Sequence, residues 1–294
     1  MALQFCDGFD SYAALGDIIG KWGGTRYTTV GDVAFVSGAG RFGGGAVRLT
    51  STNGGLVRKL SGAPDELFVW LAAFPRSYPT ANVSLLLFED ASGNAAVLRV
   101  NTGGSMYGTQ MGTTAALTPT APQSFALNEW NTLAVHYKCA DSGGRWRVIL
   151  NGVEQFDFTG DTRVTGGPVI DRLAVGGVRS GAGNEWDIDD VVLCDAGGSY
   201  MNALLTGDLK IETLRPTGDS GTGGWTPSTG TDHVALIDDV GPNDADFLTA
   251  VTAGTRDLFT LADPATAPLL TYALVVNARA RRTDTAARVL HPLV

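Results

Sequence analysis

The sequence predicts an all-β protein, an antiparallel β-sandwich followed by a smaller β-rich C-terminal section. Short segments rich in valine, leucine and aromatic residues recur along the first two thirds of the chain. Clusters of Gly, Ser, Asn, Asp and Thr separate them at a spacing typical of β-sandwiches. Helical periodicity is scarce, and only residues 10–22 could hold a helical turn or two. These observations favour stacked antiparallel sheets.

The predicted strands of the sandwich are short runs in which valine, leucine and aromatic residues dominate. They are 33–38, 44–51, 66–74, 82–90, 95–101, 131–139, 145–152, 168–177 and 186–195. Two of the intervening segments, Asp90–Asn94 and Asp141–Gly144, carry the residue types that form tight turns, so each predicts a β-hairpin.

The composition and the cysteine spacing indicate which partners the protein can bind and in which cellular compartment it is made. The chain has 294 residues and a net charge of −9, which argues against nucleic-acid binding because phosphate recognition needs an excess of Lys and Arg. The three cysteines (Cys6, Cys139 and Cys194) are far apart and show no CxxC spacing, which argues against a disulfide scaffold or a zinc site. No apolar run approaches the roughly 20 residues that span a bilayer, and the N-terminus lacks a basic start. We therefore expect no membrane insertion, no secretory signal and synthesis in a reducing cytoplasm.

A second section begins after residue 197. Residues 198–294 are predicted to form a strand, a long Gly/Thr/Ser/Pro-rich loop with Trp225 buried in it, and another strand. Two more strands are predicted at 257–263 and 271–284. The positive charge of the tail is concentrated in Arg279, Arg281, Arg282 and Arg288. Because its apolar runs are too few to form a full hydrophobic core, we expect this section to pack against the first domain or against a partner chain.

Two motifs that could suggest enzymes have simpler explanations. Gly38, Gly40 and Gly43 match the GxGxxG pattern, but a β-like segment follows them where a dinucleotide site needs a helix, so they predict a glycine-rich loop between strands. The sequence has no GxSxG motif, so it offers no serine nucleophile of that kind for a histidine to activate, and each histidine is expected to be structural. They are His136, His233 and His291. The Asp-rich segment 238–246 offers oxygen ligands but no EF-hand pattern, which leaves calcium binding open.

The sequence EWDIDD at 185–190 carries closely spaced carboxylates. Since side chains alternate along a strand, simple alternation predicts two faces. One face would hold Glu185, Asp187, Asp189, Val191 and Leu193. The other face would hold Trp186, Ile188, Asp190 and Val192.

Residues 1–197 resemble the concanavalin A-like (laminin G-like) jelly roll. The resemblance rests on FDSYAALGDIIGKW, GRFGGGAVRLT, NEWNTLAVHYK with RWRVILNGVEQ, and DRLAVGG with DIDDVVLCD, in that order. It implies that the first and last strands of the domain pair antiparallel. FCDGFD and DDVVLCD would then lie side by side, with Cys6 near Cys194.

That fold includes β-glucan hydrolases whose catalytic strand reads Glu-x-Asp-x-Glu or Glu-x-Asp-x-x-Glu. Glu185 and Asp187 match the first two positions, but the last is Asp189 or Asp190. Residues four apart on a strand are separated by roughly 13 Å, whereas a retaining mechanism needs carboxyl groups about 5–5.5 Å apart, and an aspartate arm is shorter than a glutamate arm. We therefore predict that the protein is not an enzyme and has no catalytic, cofactor-binding or metal-binding residues. A hydrolase using Glu185 and Asp187 is the alternative.

Two non-catalytic functions remain. A jelly roll can stack sugars on aromatic residues, which suggests a carbohydrate-binding module, although each tryptophan equally fits a core position. The tryptophans are Trp22, Trp70, Trp130, Trp146, Trp186 and Trp225.

Nearly the whole chain is also similar to surface proteins of tailed-bacteriophage virions, through the jelly roll joined to DLKIETLRPTGD, GWTP, DHVALIDDV and DLFTLAD. This resemblance implies a capsid-decoration or tail-surface protein. Such a protein would be assembled in the host cytoplasm, bind other virion proteins and form a homo-oligomer, with a trimer favoured. Its jelly roll would adhere to polysaccharide.

Overall fold

The computed structural model describes residues 3–22, 33–50, 55–113, 116–119, 122–163, 165–167, 169–176, 185–241, 243–281 and 289–292. The chain forms two compact units, Met1–Thr213 and Leu214–Val294. Residues 198–213, which the sequence assigned to the second section, belong to the first unit. No helix in the described ranges has the length and apolar character needed to cross a bilayer.

Over its described residues the first unit contains one short helix and two antiparallel sheets, which confirms the predicted all-β sandwich. Helix α1 spans Leu15–Trp22. The strands are β1 Leu3–Asp7, β2 Val33–Ser37, β3 Gly45–Leu49, β4 Gly55–Lys59, β5 Glu66–Pro75, β6 Val83–Glu89, β7 Ala95–Val100, β8 Met106–Thr109, β9 Ala116–Leu117, β10 Asn131–Lys138, β11 Gly144–Leu150, β12 Val153–Gly160, β13 Arg172–Gly176 and β14 Trp186–Asp195.

The strands divide into a large sheet of eight and a small sheet of six. The large sheet has the order β12-β11-β10-β5-β14-β3-β2, with β1 also pairing with β14. The small sheet has the order β4-β13-β6-β7-β8-β9. The main hydrophobic core lies between the sheets, where Leu71, Leu86, Leu98, Trp146 and Trp186 are buried. Each sheet therefore has an inner face on this core and an outer face directed away from it.

The outer face of the large sheet is also covered. Strand β5 has the sequence ELFVWLAAFP, whose inner residues include Leu67 and Val69 and whose outer residues include Phe68 and Trp70. Residues after β14 pack on this outer face through Met201, Leu204, Leu205, Leu209 and Ile211. Burial on both faces explains why β5 is hydrophobic almost without interruption.

Strands β1 and β14 pair antiparallel, as the jelly-roll resemblance implied. Leu3 lies opposite Cys194 and Cys6 lies opposite Val192. Both cysteines belong to the cluster on the outer face of the large sheet, and both are free thiols. The predicted closeness of these two strands is therefore confirmed.

The predicted alternation of side chains along β14 is wrong after Asp189. A β-bulge interrupts the pairing of β14 with β5 between Asp189 and Val192, and Asp190 has a backbone φ of 51°. The extra residue shifts the alternation, so that Val191 and Leu193 join the core between the sheets while Val192 faces outward.

The predicted turns are confirmed as hairpin connections. In the β6–β7 turn, the amide of Asp90 donates to the carbonyl of Asn94 at 3.0 Å, and the amide of Asn94 donates to Asp90 Oδ1 at 2.9 Å. Residues 38–44, with the GxGxxG pattern, connect the paired strands β2 and β3, so they form a loop between strands as predicted. Gly43 needs its lack of a side chain there, because its φ is 93°.

The second unit has little regular structure in its described residues. Strand β15 (Pro216–Gly223) pairs with β18 (Asp257–Leu261), and β16 (Thr226–Pro227) pairs with β17 (Leu248–Thr249). A 3₁₀ turn at Val234–Leu236 provides Leu236, the one buried hydrophobic side chain found in the described part of this unit.

Of the two strands predicted near the C-terminus, one is present in the described residues. The prediction at 257–263 is confirmed as β18. Residues 271–281 form no strand, so the prediction at 271–284 is wrong over its described part, because no neighbouring strand offers backbone partners there. The remainder of that prediction, with Arg282 and Arg288, lies outside the described residues.

Candidate functional site

The carboxylate of Asp187 is bound by two arginines on the outer face of the large sheet. Arg48 donates to it from Nε at 2.7 Å and from Nη2 at 3.1 Å. Arg76 donates from Nε at 3.0 Å and from Nη2 at 2.7 Å. Glu185 lies 3.4 Å from Arg48, and its side chain is 44% exposed. Asp187 is buried, and both of its oxygens accept hydrogen bonds from arginines. The geometry therefore does not support the alternative in which Asp187 acts as a residue of a hydrolase site.

Asp189 and Asp190 are buried at the bulge and accept backbone hydrogen bonds. The amide of Arg41 donates to Asp189 Oδ2 at 2.8 Å, and the amide of Ile211 donates to Asp190 Oδ1 at 2.8 Å. The Arg41 guanidinium lies 3.7 Å from Asp190 and also pairs with Asp208. These contacts hold residues 208–211 against the large sheet. The acidic strand thus attaches a chain segment to the sheet through buried carboxylates.

Burial raises the pKa values of both carboxyl groups at the bulge. For Asp189 the charge of Asp190 adds to the effect, whereas for Asp190 the hydrogen bond from Ile211 and the charge of Arg41 oppose it. A carboxyl with a raised pKa binds its proton more tightly in the folded state than in the unfolded state.

We expect the free energy of unfolding to fall as the pH rises above the ordinary aspartate pKa. In that range the folded state holds more protons than the unfolded state, and each such carboxyl costs about 1.4 kcal/mol per pH unit. Asp189→Asn removes one of these groups and should flatten the dependence. Urea denaturation from about pH 5 to about pH 8 measures it, and the difference between the two proteins cancels other groups such as His136.

The matched control is Asp157→Asn. The pKa of Asp157 is lowered, first of all by its hydrogen bond with Arg145, so this carboxyl is ionised in both states across the same range. Parallel curves for the wild type and Asp189→Asn would contradict the account of the bulge.

The other residues that the sequence singled out have structural contacts. His136 lies 2.7 Å from Glu66, and burial lowers its pKa; His233 lies 2.7 Å from Asp257. Four tryptophans are buried, which leaves Trp130 and Trp225 half-buried. Within the described ranges no group of three or more His, Cys, Asp or Glu side chains could hold a metal ion.

The outer face of the small sheet carries a different arrangement, which the sequence did not predict. Register places Ser84 opposite Arg99, and Arg99 opposite Tyr107, on neighbouring strands β6, β7 and β8. Paired residues share a face, and the flanking pair Val83 and Val100 lies in the core, so these three side chains face outward. We call them the Arg99 row.

Two further rows cross the same face. The middle row is mainly apolar and runs over five strands, through Val57, Ala174, Leu87, Val97 and Thr109. Beyond it, a charged row contains Lys59, Arg172 and Glu89. The face therefore has a row of buried, mainly apolar side chains between two rows that contain longer polar ones.

The Arg99 row has unused hydrogen-bonding capacity. Ser84 is 1% exposed, and its hydroxyl has no hydrogen-bond partner. Arg99 and Tyr107 are half-buried, and no hydrogen bond or ion pair from either side chain to the described residues is seen. By contrast, Arg172 in the charged row is paired with Asp171 at 2.9 Å. This is the strongest candidate for a ligand-binding surface on the first unit.

The similarities found to known proteins are to solved structures. No family model matches the chain, and no curated protein matches it. Among solved structures, it is similar to an endo-β-1,4-glucuronan lyase from the fungus Trichoderma reesei, with TM-score 0.45 and 14% identity over 65% of this chain and 95% of that one. An alginate lyase variant in complex with alginate tetrasaccharide gives TM-score 0.42 and 14% identity over 66% and 95% of the two chains.

A carbohydrate esterase from the Shiga toxin-encoding bacteriophage phi24B gives TM-score 0.40 and 18% identity, over 55% of this chain and 86% of that one. These neighbours are carbohydrate-processing β-sandwich proteins, and the comparisons show neither a phage virion-protein family nor a laminin G family. At such scores the likeness concerns the sheets alone, and no residue role is transferred from it.

The prediction that the protein is not an enzyme is contradicted. The solved structures named above are enzymes that act on carbohydrates. The prediction relied on the shortened acidic motif of one strand, and that strand says nothing about chemistry elsewhere on the two sheets. Whether a bound glycan is also cleaved is therefore a matter for direct measurement.

Proposed function

We propose that the protein recognises a polysaccharide on the outer face of its small sheet, as part of the surface of a bacteriophage virion. The observation that carries the glycan proposal is the Arg99 row, in which Arg99 and Tyr107 are half-buried with no hydrogen bond to a described residue, beside the buried and unpartnered hydroxyl of Ser84.

The chemistry of this face suits a sugar chain. Sugars offer hydroxyl groups along their edges and C–H groups on their ring faces, and binding sites combine apolar surface with a few placed polar groups. A nucleic acid is disfavoured, since the chain has a net charge of −9. The three rows extend over several strands, which favours a polymer over a single small molecule.

The test is a binding screen of the full chain against a panel of neutral and acidic polysaccharides, with Tyr107→Ala as the variant. We expect at least one polysaccharide to bind, and Tyr107→Ala to weaken that binding about tenfold, through the loss of a hydrogen bond and ring contact. Tyr200→Ala is the matched control, because Tyr200 is exposed on the first unit outside both sheets.

The same samples are assayed for new reducing ends and for unsaturated uronates, which separates a binding module from a hydrolase and from a lyase. Failure of every polysaccharide to bind, or equal binding by the wild type and Tyr107→Ala, would contradict the proposed site.

A virion location is supported by the second unit. Its described residues bury one hydrophobic side chain and expose several large ones, among them Leu269, Leu270, Leu274 and Val276. Such exposure is typical of a surface that other chains cover. We therefore propose an accessory role on the capsid or tail, with contacts to other virion proteins and to copies of the same chain.

Two measurements test this role. Immunogold labelling of intact particles should place the protein on the virion, and its mass in solution should exceed that of one chain, with three copies favoured by the symmetry of such particles. Absence from purified particles, together with a monomeric mass, would contradict it.

A further inference from the structure

We infer that the glycan bound by the small sheet is acidic, and that the Arg99 row binds the carboxylate of a uronic-acid residue. The inference rests on the proposed function and specifies its substrate class. It starts from the position of Arg99, between Ser84 on β6 and Tyr107 on β8. With strands about 4.8 Å apart, the row spans roughly 10 Å with its guanidinium in the middle.

Arg99 has no acidic partner among the described residues, unlike the three arginines on strands of the large sheet. On the large sheet, Arg48 pairs with Asp187, Arg145 with Asp157 and Arg147 with Glu154. No ion pair to a described carboxylate is seen for Arg99, which is half-buried on a sheet face. A charge removed from water needs a compensating group, and an anionic ligand supplies one.

Ser84 supplies a second, independent observation. Its hydroxyl is buried and unpartnered beside Arg99, whereas buried hydroxyls in folded proteins nearly always have a hydrogen-bond partner. Ser84, Arg99 and Tyr107 all carry hydrogen-bond donors on this one face, where Arg99 and Tyr107 are half-buried. A guanidinium fork fits the two oxygens of a carboxylate, and bonds of this charge-assisted kind are strong.

The charged row indicates that the site extends beyond one sugar. Lys59 is exposed and Arg172 half-buried, and their row lies four residues along the strands from the Arg99 row, about 13 Å away. Glu89 is the one carboxylate within these three rows. Arg172 pairs with Asp171 and lies 4.0 Å from Glu89, so Lys59 is the cation of the charged row for which no ion pair to a described residue is found. A polyuronate presents carboxylates repeatedly and can engage both rows.

Calorimetry on the full chain tests the assignment with oligouronates and with their carboxyl-reduced counterparts, which keep the linkages but carry no charge. We expect the acidic oligosaccharide to bind about tenfold more tightly or better, and Arg99→Gln to remove that preference. Ser84→Ala should weaken binding without lowering the thermal stability, because no intramolecular hydrogen bond is lost. Arg147→Gln, on the large sheet, is the matched control and should retain wild-type binding.

The outcomes separate this inference from the proposed function. Equal binding of the reduced and acidic forms, or an unchanged preference in Arg99→Gln, would overturn the carboxylate assignment while glycan binding stood. Tighter binding of a sulfated oligosaccharide than of the uronate would overturn it too. If no glycan bound at all, both the carboxylate assignment and the proposed glycan-binding function would be contradicted.

Discussion

Asp187→Ala is expected to lower the free energy of unfolding by about 3 kcal/mol, because it leaves Arg48 and Arg76 facing each other across a buried position. The carboxylate accepts hydrogen bonds from both guanidiniums, and its side chain is 1% exposed. Glu185 approaches Arg48 but is partly exposed, so it cannot replace the missing charge fully. Chemical denaturation at neutral pH measures the loss.

The control for this substitution is Asp157→Ala. Asp157 also forms a two-bond pair with an arginine, Arg145, but that pair is exposed, and its removal should cost at most about 1 kcal/mol. If Asp187→Ala kept wild-type stability yet abolished cleavage of a glycan, Asp187 would be a reacting group, and the structural account of the acidic strand would be wrong.

Trp146→Ala is expected to destabilise the first unit by about 3–5 kcal/mol, since it opens a cavity in the core between the sheets. The indole is fully buried and lies edge-on to Tyr137, with ring centroids 5.0 Å apart, and near Phe88 and Phe156 at 6.2 Å each. Thermal denaturation and urea denaturation both report the loss. Trp146→Phe, which leaves a smaller cavity, should show an intermediate effect.

Trp130→Ala serves as the comparison for a tryptophan outside that core. Trp130 is half-buried and contacts Phe74 at a centroid distance of 5.5 Å. Its removal should cost clearly less than that of Trp146, because solvent already reaches part of the ring. Equal losses for the two substitutions would contradict the assignment of Trp146 to the centre of the sandwich.

The acidic strand β14 shows which side-chain orientations can be predicted from sequence alternation and which cannot. Strict alternation correctly places Asp187 and Asp189 on one face, and it fails at Asp190, where the chain adopts a positive φ. That conformation is maintained by groups distant in sequence, namely the Ile211 amide and the Arg41 guanidinium. Because these contacts come from distant residues, the alternation of apolar and polar residues in the strand itself does not reveal the bulge.

The candidate glycan surface was missed for a related reason. Ser84, Arg99 and Tyr107 are single polar or aromatic residues within short strands, and each looks like an ordinary solvent-facing position in its own segment. Strand β8 was not predicted at all, because its four residues lie among glycines, serines and threonines. A useful signal would have been the placement of Arg99 and Ser84 within otherwise apolar runs.

The sequence alone determined the all-β class, most strands of the sandwich, the hairpin turns and, through resemblance, the pairing of the first strand with the last. These follow from local properties, since side-chain alternation and turn chemistry are set by residues a few positions apart. Only the tertiary structure decided which carboxylates meet arginines and which polar residues share a face. Those outcomes depend on strand order and register across the sheets, where neighbours in space are distant in the chain.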